Sequence, residues 1–347
     1  MTVQNGYFLV ADIAGHILST EERQRLNHPA LAGIILFTRN FSSREQLLDL
    51  IASIRAENPQ LLIMADQEGG RVQRFRGDGF TEVPAMGRFG QLYQRDSERA
   101  CALIRETGWL LASELLASGI DLGLAPVLDL DRGISRVVGD RSFGVEPEIV
   151  STLANAYLEG MHEAGMAAVG KHFPGHGGVG IDSHIALPVD RRTAEQLQED
   201  IQPFAALVQA GIDGVMPGHI CYPAVDSEAA GFSSHWQQKV LRQQLGFNGV
   251  IFSDCLSMAG ASIGGTAVER VEKALTAGCD LTLVCNTPDD VASILEAFDN
   301  GRFTADRKAS QERIHQLLKW RTHTIPTWPE LIGSERRQQL LAAFSEL

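Results

Sequence analysis

The chain has 347 residues, 44% of them hydrophobic and 21% charged, with 34 glycines and 13 prolines; this is globular composition, and it excludes collagen-like or disordered chains. Thirty Lys and Arg against 43 Asp and Glu leave a net charge of −13, so a nucleic-acid backbone would meet repulsion, and no basic patch relieves it. No apolar run approaches the roughly 18 residues of a membrane span.

Apolar, β-rich runs recur along the chain at Tyr7–Ala11, Gly33–Phe37, Leu61–Ala65, Ile120–Val127, Met166–Val169, Ile212–Met216, Gly249–Phe252 and Leu281–Val284. The first has no basic leader before it, so it reads as a strand and not a signal peptide. Between the runs lie helical patterns. The link at 20–27 is short; Ser42-Ser43-Arg44-Glu45 has capping-box spacing ahead of Leu47, Leu50 and Ile54. Further helices are expected over 97–118, 147–163, 193–209, 235–244, 266–277 and 288–299. Runs that are continuously apolar, not alternating, imply strands buried on both faces, as in a parallel sheet covered by helices. Eight such units favour a (β/α)8 TIM barrel over a doubly wound sheet. No linker, charge run or repeat divides the chain, so residues 1–347 read as one domain, with extra C-terminal helices after about residue 303. The five cysteines, Cys101, Cys221, Cys255, Cys279 and Cys285, are odd in number, scattered and free of any C-x-x-C pair. That usage suits a reducing compartment and predicts a cytoplasmic protein.

The polar residues at the strand ends are more telling. Asp12, Asp66, Asp129, Lys171-His172, His219, Asp254 and Asn286 stand at or just past the ends of successive runs. In a barrel those positions converge on one mouth, where active sites are built. Any single polar residue there could be mere strand termination; together they point to a site.

The segment from Lys171 to His184 (KHFPGHGGVGIDSH) holds three histidines, a lysine and an aspartate on a glycine-rich loop. Gly175-His176-Gly177-Gly178-Val179-Gly180 matches a dinucleotide fingerprint, but residues 181–187 do not open a helix and Pro188 comes next, which speaks against a nucleotide. His172, His176, Asp182 and His184 are metal-ligand types, yet no H-x-x-x-H pair falls on an expected helix, so a metal set is the lesser alternative. The favoured reading is acid/base chemistry, with Asp182 close enough to His184 to orient its imidazole. Asp254, delivered by the buried run 249–252, could serve as nucleophile, base, metal ligand or helix cap. The stretch Asp66-Gln67-Glu68-Gly69-Gly70-Arg71-Val72-Gln73-Arg74 sets a carboxylate beside two arginines, suited to gripping vicinal hydroxyls, although Arg71 is as well explained by a structural ion pair. Arg141 lies in the turn-rich Gly139–Gly144.

At Asp66–Val72, Gly139–Gly144, Lys171–His184 and Phe252-Ser253-Asp254 the sequence resembles glycoside hydrolase family 3, most closely its single-domain bacterial β-N-acetylglucosaminidases of cell-wall recycling. The resemblance spans nearly the whole chain in order. It implies a retaining exo-glycosidase with Asp254 as nucleophile and His184, paired with Asp182, as general acid/base. It further implies that Asp66, Arg74, Arg141, Lys171 and His172 hold a terminal GlcNAc, that substrates are GlcNAc-β-1,4-(1,6-anhydro)MurNAc and its peptides, and that neither cofactor nor metal takes part. Partners other than this carbohydrate are not expected: no nucleic acid, no membrane, and a monomer. One departure stands out: many members carry a second acidic residue after the nucleophile, and here it is Cys255. Chemically the scheme is coherent. Retaining hydrolysis needs a carboxylate to capture the anomeric carbon and a second group to protonate the leaving oxygen and then deprotonate water. A histidine in that second role must be cationic first, which Asp182 would support. Its neutral form after glycosylation keeps a phosphorolytic variant open. A catalytically inactive sugar-binding barrel would be expected to lose Asp254 or the Asp182/His184 pair, and a β-glucosidase would carry a further α/β domain.

Overall fold

The computed structural model describes residues 6–183, 185–322 and 326–347. Its parallel strands are β1 (Leu9–Asp12), β2 (Leu31–Leu36), β3 (Leu62–Ala65), β4 (Leu122–Gly123), β5 (Val169–Phe173), β6 (Gly214–Pro217), β7 (Val250–Ile251) and β8 (Thr282–Leu283). They form an α/β fold: a five-stranded parallel half-barrel sheet in the order β8-β1-β2-β3-β4, and a three-stranded sheet in the order β7-β6-β5. Isolated parallel bridges, Gly123 to Ala168 and Val127 to Lys171 on one side and Phe252 to Leu281 on the other, run between the two sheets. Backbone bonds at these seams include Val169 N–H to Ala125 O and Ser253 N–H to Leu281 O, both 2.8 Å.

Side-chain alternation explains the unbroken apolar runs. Val10, Ile35, Met64, Val169 and Phe252 share one buried cluster, while their chain neighbours Leu9, Ile34, Ile63, Ala168 and Ile251 join the larger cluster that includes the helices. Each strand thus has an apolar neighbour on both faces.

The helices start where local chemistry satisfies their first N–H groups. In α1 (Thr20–Leu26) Ser19 Oγ accepts from Glu22 N–H at 3.1 Å and Glu22 returns to Ser19 N–H at 2.7 Å. In α2 (Arg44–Glu57) the cap is Ser43, one residue beyond the expected Ser42. Ser43 Oγ accepts from Gln46 N–H, and Gln46 Oε1 accepts from Ser42 N–H, so Gln46 and not Glu45 completes the arrangement. α3 (Ser97–Leu116) and α4 (Pro147–Ala164) pack along each other. α5 (Gln198–Ala210) begins later than the expected 193, because Thr193 and Gln196 bond to one another in a turn first. A π-helical segment (His235–Gln244), α6 (Ala267–Ala277) and α7 (Pro288–Asp299) complete the alternation. A helix at Met86–Tyr93 and two short hairpins, Gln67–Gly69 with Val72–Gln73 and Cys221–Tyr222 with Asp226–Ala229, add to the elements expected from the sequence.

Past residue 303 come helices at Lys308–Leu318, Trp328–Gly333 and Glu335–Phe344. The first of these closes the end where the strands begin. Ile314 and Leu317 enter the cluster between the strands. Gln311 donates to Tyr7 O (2.9 Å) just before β1, Arg313 pairs with Asp280 (2.7 Å) just before β8, and Trp320 donates to Asp213 Oδ1 (2.9 Å) just before β6. Among the described residues no helix is long and apolar enough to cross a membrane.

Candidate active site

At the opposite end, where the strands finish, a cavity of about 340 Å³ gathers Asp66, Arg74, Arg141, Lys171, His172, Asp182 and Asp254. Its floor is apolar, made by Ile35, Leu124, Met216 and Leu283 from the strand interior.

Asp66 stands just past β3, and its carboxylate accepts from Lys171 Nζ and Arg74 Nη2, each at 2.8 Å. The hairpin beyond it turns at Gly69 and Gly70, with φ of 98° and 53°. Two successive positive φ values favour Gly-Gly. This tight return sets Gln67 beneath Arg74: Gln67 Oε1 accepts from the N–H groups of Arg74 (2.9 Å) and Phe75 (3.2 Å). Arg74 is also laid over the Phe37 ring at 5.4 Å. Its Nε is buried and has no hydrogen-bond partner among the described residues.

Lys171, on β5, is 2% exposed and reaches Glu68 Oε1 at 2.6 Å as well as Asp66. Glu68 in turn receives a two-pronged contact from Arg141, Nε at 2.7 Å and Nη2 at 2.8 Å, while Arg141 Nη1 donates to Val137 O at 3.0 Å. Burial alone would push both carboxyls up. Lys171 and Arg74 outweigh it and hold Asp66 well below the usual carboxylate range, and Lys171 and Arg141 bring Glu68 down to about 2. Burial works against the Lys171 ammonium, but Asp66 and Glu68 overcome it and raise its pKa, so it stays charged.

A second network lies under the loop after β5. Asp129, fully buried, accepts from His172 Nδ1 (2.7 Å), His172 N–H (3.2 Å) and His176 N–H (2.7 Å). Burial opposes ionisation there too, yet His172 and His176 together hold the carboxyl at about 2. The His172 ring is therefore fixed through Nδ1, and it lines the cavity. The loop then presses against the chain after β4: a Cβ on Gly177 would sit 1.8 Å from Leu130 O. Ser183 ties its far end, its carbonyl accepting from Gly260 N–H (2.8 Å) and its hydroxyl meeting His176 Nε2 (3.2 Å). Asp182, the preceding residue, faces the cavity. His184 lies outside the described residues. Asp254, three residues past β7, is half-buried, and its Oδ1 accepts from Cys255 N–H at 2.7 Å.

The profile of the glycosyl hydrolase family 3 N-terminal domain matches residues 9–317. The chain belongs to glycosyl hydrolase family 3. A family 3 relative named beta-hexosaminidase, from Thioalkalivibrio sulfidiphilus, is 49% identical over 340 residues, covering 98% of this chain and 96% of that protein. Another beta-hexosaminidase, from Shewanella frigidimarina, is 53% identical over 294 residues, 84% of this chain and 86% of that one. Among solved structures, NagZ from Neisseria gonorrhoeae in complex with N-trifluoroacetyl-D-glucosamine is similar at a TM-score of 0.89 and 42% identity, covering 98% of this chain and 97% of that chain.

In this family 3 chain Glu68 carries no signal of its own in the sequence, Asp129 shows there only as a strand-end residue and His176 only as a metal-ligand type; their parts in these networks emerge from the fold. Glu68 lies three residues past the end of β3 and its partners lie far away in sequence, so only its place near a strand end marks it. Arg71 forms the structural ion pair, with Asp140, and also lines the cavity. Its guanidinium donates to Arg136 O and Val137 O and lies 3.7 Å from Asp140, pinning the rim of the cavity. Among the described residues no cluster of three or more His, Cys, Asp or Glu is arranged to hold a metal ion.

Proposed function

We propose that this chain is a retaining exo-β-N-acetylglucosaminidase that removes terminal GlcNAc from GlcNAc-(1,6-anhydro)MurNAc and its peptides during peptidoglycan recycling. The observation that carries this is the Asp254 carboxylate at the end of β7 facing the same cavity as the Asp66–Arg74–Lys171 cluster and Asp182. Family membership and the beta-hexosaminidase names of full-length relatives support the sugar. The two sheets are read as arcs of a single (β/α)8 barrel, supported by bridges at both seams, and residues 1–347 as one domain, supported by Ile314 and Leu317 packing between the strands. Action as a monomer belongs to the same reading, and five free thiols support a cytoplasmic setting.

The chemistry rests on what each group has left to offer. Asp66 commits two of its roughly four lone-pair positions to Lys171 and Arg74, and Lys171 commits two of its three hydrogens to Asp66 and Glu68. Both retain capacity for sugar hydroxyls, as does the unpartnered Nε of Arg74. His172, with Nδ1 committed to Asp129, offers Nε2. Arg141 is largely engaged by Glu68, and acts chiefly by holding Glu68 against Lys171. Asp254 then attacks the anomeric carbon while His184, its cationic form supported by Asp182, protonates the departing oxygen; the neutral imidazole next takes a proton from water and the glycosyl–Asp254 ester is hydrolysed. No cofactor or metal enters these steps. A dedicated nucleophile also makes participation by the substrate's acetamido group unnecessary.

A fluorinated N-acetylglucosaminide that arrests the ester intermediate is expected to label the peptide 251–258. Label on any other peptide, or faster turnover of the 4-nitrophenyl β-glucoside than of the 4-nitrophenyl β-N-acetylglucosaminide, would overturn the assignment.

A further inference from the structure

Two thiols stand in the wall of the cavity with no part in the chemistry above. Cys255 is half-buried and comes directly after Asp254; Cys285, 1% exposed, lies just past β8. Both line the cavity. Their strands are neighbours, bridged at Phe252 and Leu281, and Leu256 N–H donates to Leu283 O at 2.8 Å, so the chain segments past the strand ends run level. The two cysteines therefore stand at the ends of adjacent strands and face one cavity.

We propose that Cys255 and Cys285 are an oxidisable thiol pair through which hydroperoxides reversibly switch off the hydrolase whose site they line. The proposal rests on the function argued above for its consequence, though not for its chemistry. The pair divides the work as nucleophilic and resolving thiol. The neighbouring Cys285 thiol lowers the pKa of Cys255 from the ordinary value against the burial that raises it, whereas Cys255 and burial raise that of Cys285. The other cysteines lack this arrangement. Burial pushes each of them up, and Cys221 and Cys279 donate instead to Ser227 O (3.2 Å) and Gln237 Oε1 (3.4 Å).

In the first step the Cys255 thiolate attacks one oxygen of hydrogen peroxide; the O–O bond breaks, hydroxide leaves, and Cys255 becomes a sulfenic acid. In the second, the Cys285 sulfur attacks the Cys255 sulfur; the S–O bond breaks, the hydroxide takes the Cys285 proton as water, and a disulfide remains. Two thiols and one peroxide thus give one disulfide and two waters. The link reaches catalysis through the backbone. A disulfide fixes the two sulfurs at about 2.05 Å, and Cys255 is the residue whose N–H holds Asp254 Oδ1 and whose carbonyl accepts from His219 Nε2 at 3.2 Å. Misplacing a reacting group by about 1 Å can cost about 10²-fold.

The test treats the purified full chain with hydrogen peroxide and reads proteolytic masses beside turnover of 4-nitrophenyl β-N-acetylglucosaminide. The expected result is a Cys255–Cys285 cross-link, lighter by two hydrogens, with a roughly 10²-fold fall in kcat/KM that dithiothreitol reverses. In Cys255→Ser the ratio of treated to untreated turnover is expected to stay near one. In Cys285→Ser a dimedone adduct should accumulate at Cys255 in place of the cross-link. Free thiols at both positions after treatment, or a complete cross-link with undiminished turnover, overturns the proposal. Because the cross-link is read by mass in the unmutated chain, it is decided even where a variant does not fold. A chain that cross-links yet never hydrolyses the glycoside would overturn the hydrolase reading and leave the thiol chemistry standing.

Discussion

Replacing Glu68 with Gln keeps the shape of the side chain and removes the charge that Lys171 and Arg141 share. The expected cost can be worked from the ionisation of Glu68 itself. Its carboxyl is held at about 2 against an ordinary 4.5, and that gap is worth about 3 kcal/mol of folding stability at neutral pH. Removing one partner of a buried pair gives a similar figure, about 3–5 kcal/mol. A chain of 347 residues has an unfolding entropy of about 0.7 kcal/mol/K, so Tm should fall by about 4 °C. The sign of the pH dependence is set by a lowered folded-state pKa: the contribution is complete above pH 4.5 and is lost as pH falls toward 2. Urea melts of the native chain and of Glu68→Gln should therefore differ by about 3 kcal/mol at pH 7 and by about 1 kcal/mol less at pH 3.5. A difference below about 0.5 kcal/mol at pH 7, or one that does not change with pH, would refute the view that Glu68 is ionised and paired with Lys171 and Arg141.

The same site sets other outcomes. His184→Ala should lose about 10²–10⁴-fold in the glycosylation step on a disaccharide and far less on a dinitrophenyl glycoside, which needs little protonation; equal losses measured by pre-steady-state kinetics would mean that His184 positions and does not donate. Asp182→Asn should move the activity that depends on the acid form to lower pH, since the imidazolium loses its supporting charge; an unchanged pH–rate profile would contradict this. Gly177→Ala drives a Cβ against Leu130 O and should cost about 1–3 kcal/mol in a thermal melt, with activity falling as the loop carrying Asp182 shifts. EDTA should leave turnover unchanged, and strong inhibition by a thiazoline would show that the substrate's acetamido group participates after all.

The strands were readable because both of their faces are buried, which leaves an apolar run with no polar interruption, and the polar residue ending each run marked the mouth. Asp66, Lys171, His172 and Asp254 were found in this way, and the structure brings them together. Pairings made across the fold were not readable. Nothing local tells Glu68 that Arg141 and Lys171 will meet it, or tells Asp129 that it will hold two histidines. Short-range choices between equivalent neighbours were missed for a different reason. Ser42 and Ser43 both offer a hydroxyl, and Glu45 and Gln46 both offer an acceptor, so the cap moved by one residue without changing the pattern. The Met86–Tyr93 helix and the Gly69–Gly70 hairpin are too brief for a period to emerge, although adjacent glycines flanked by Glu68 and Arg71 carry a turn signal.

The cluster of Asp66, Glu68, Lys171, Arg74 and Arg141 brings its own counter-charges into the wall. An uncharged sugar ring entering it displaces no mobile ions, so the grip on that ring has little to lose when buffer salt rises. A substrate that carries carboxylates on its peptide approaches a chain of net charge −13, and the same salt would screen that repulsion and hasten its arrival. Ionic strength thus acts on encounter more than on hold, and the response to salt separates the sugar half of a muropeptide from its acidic tail.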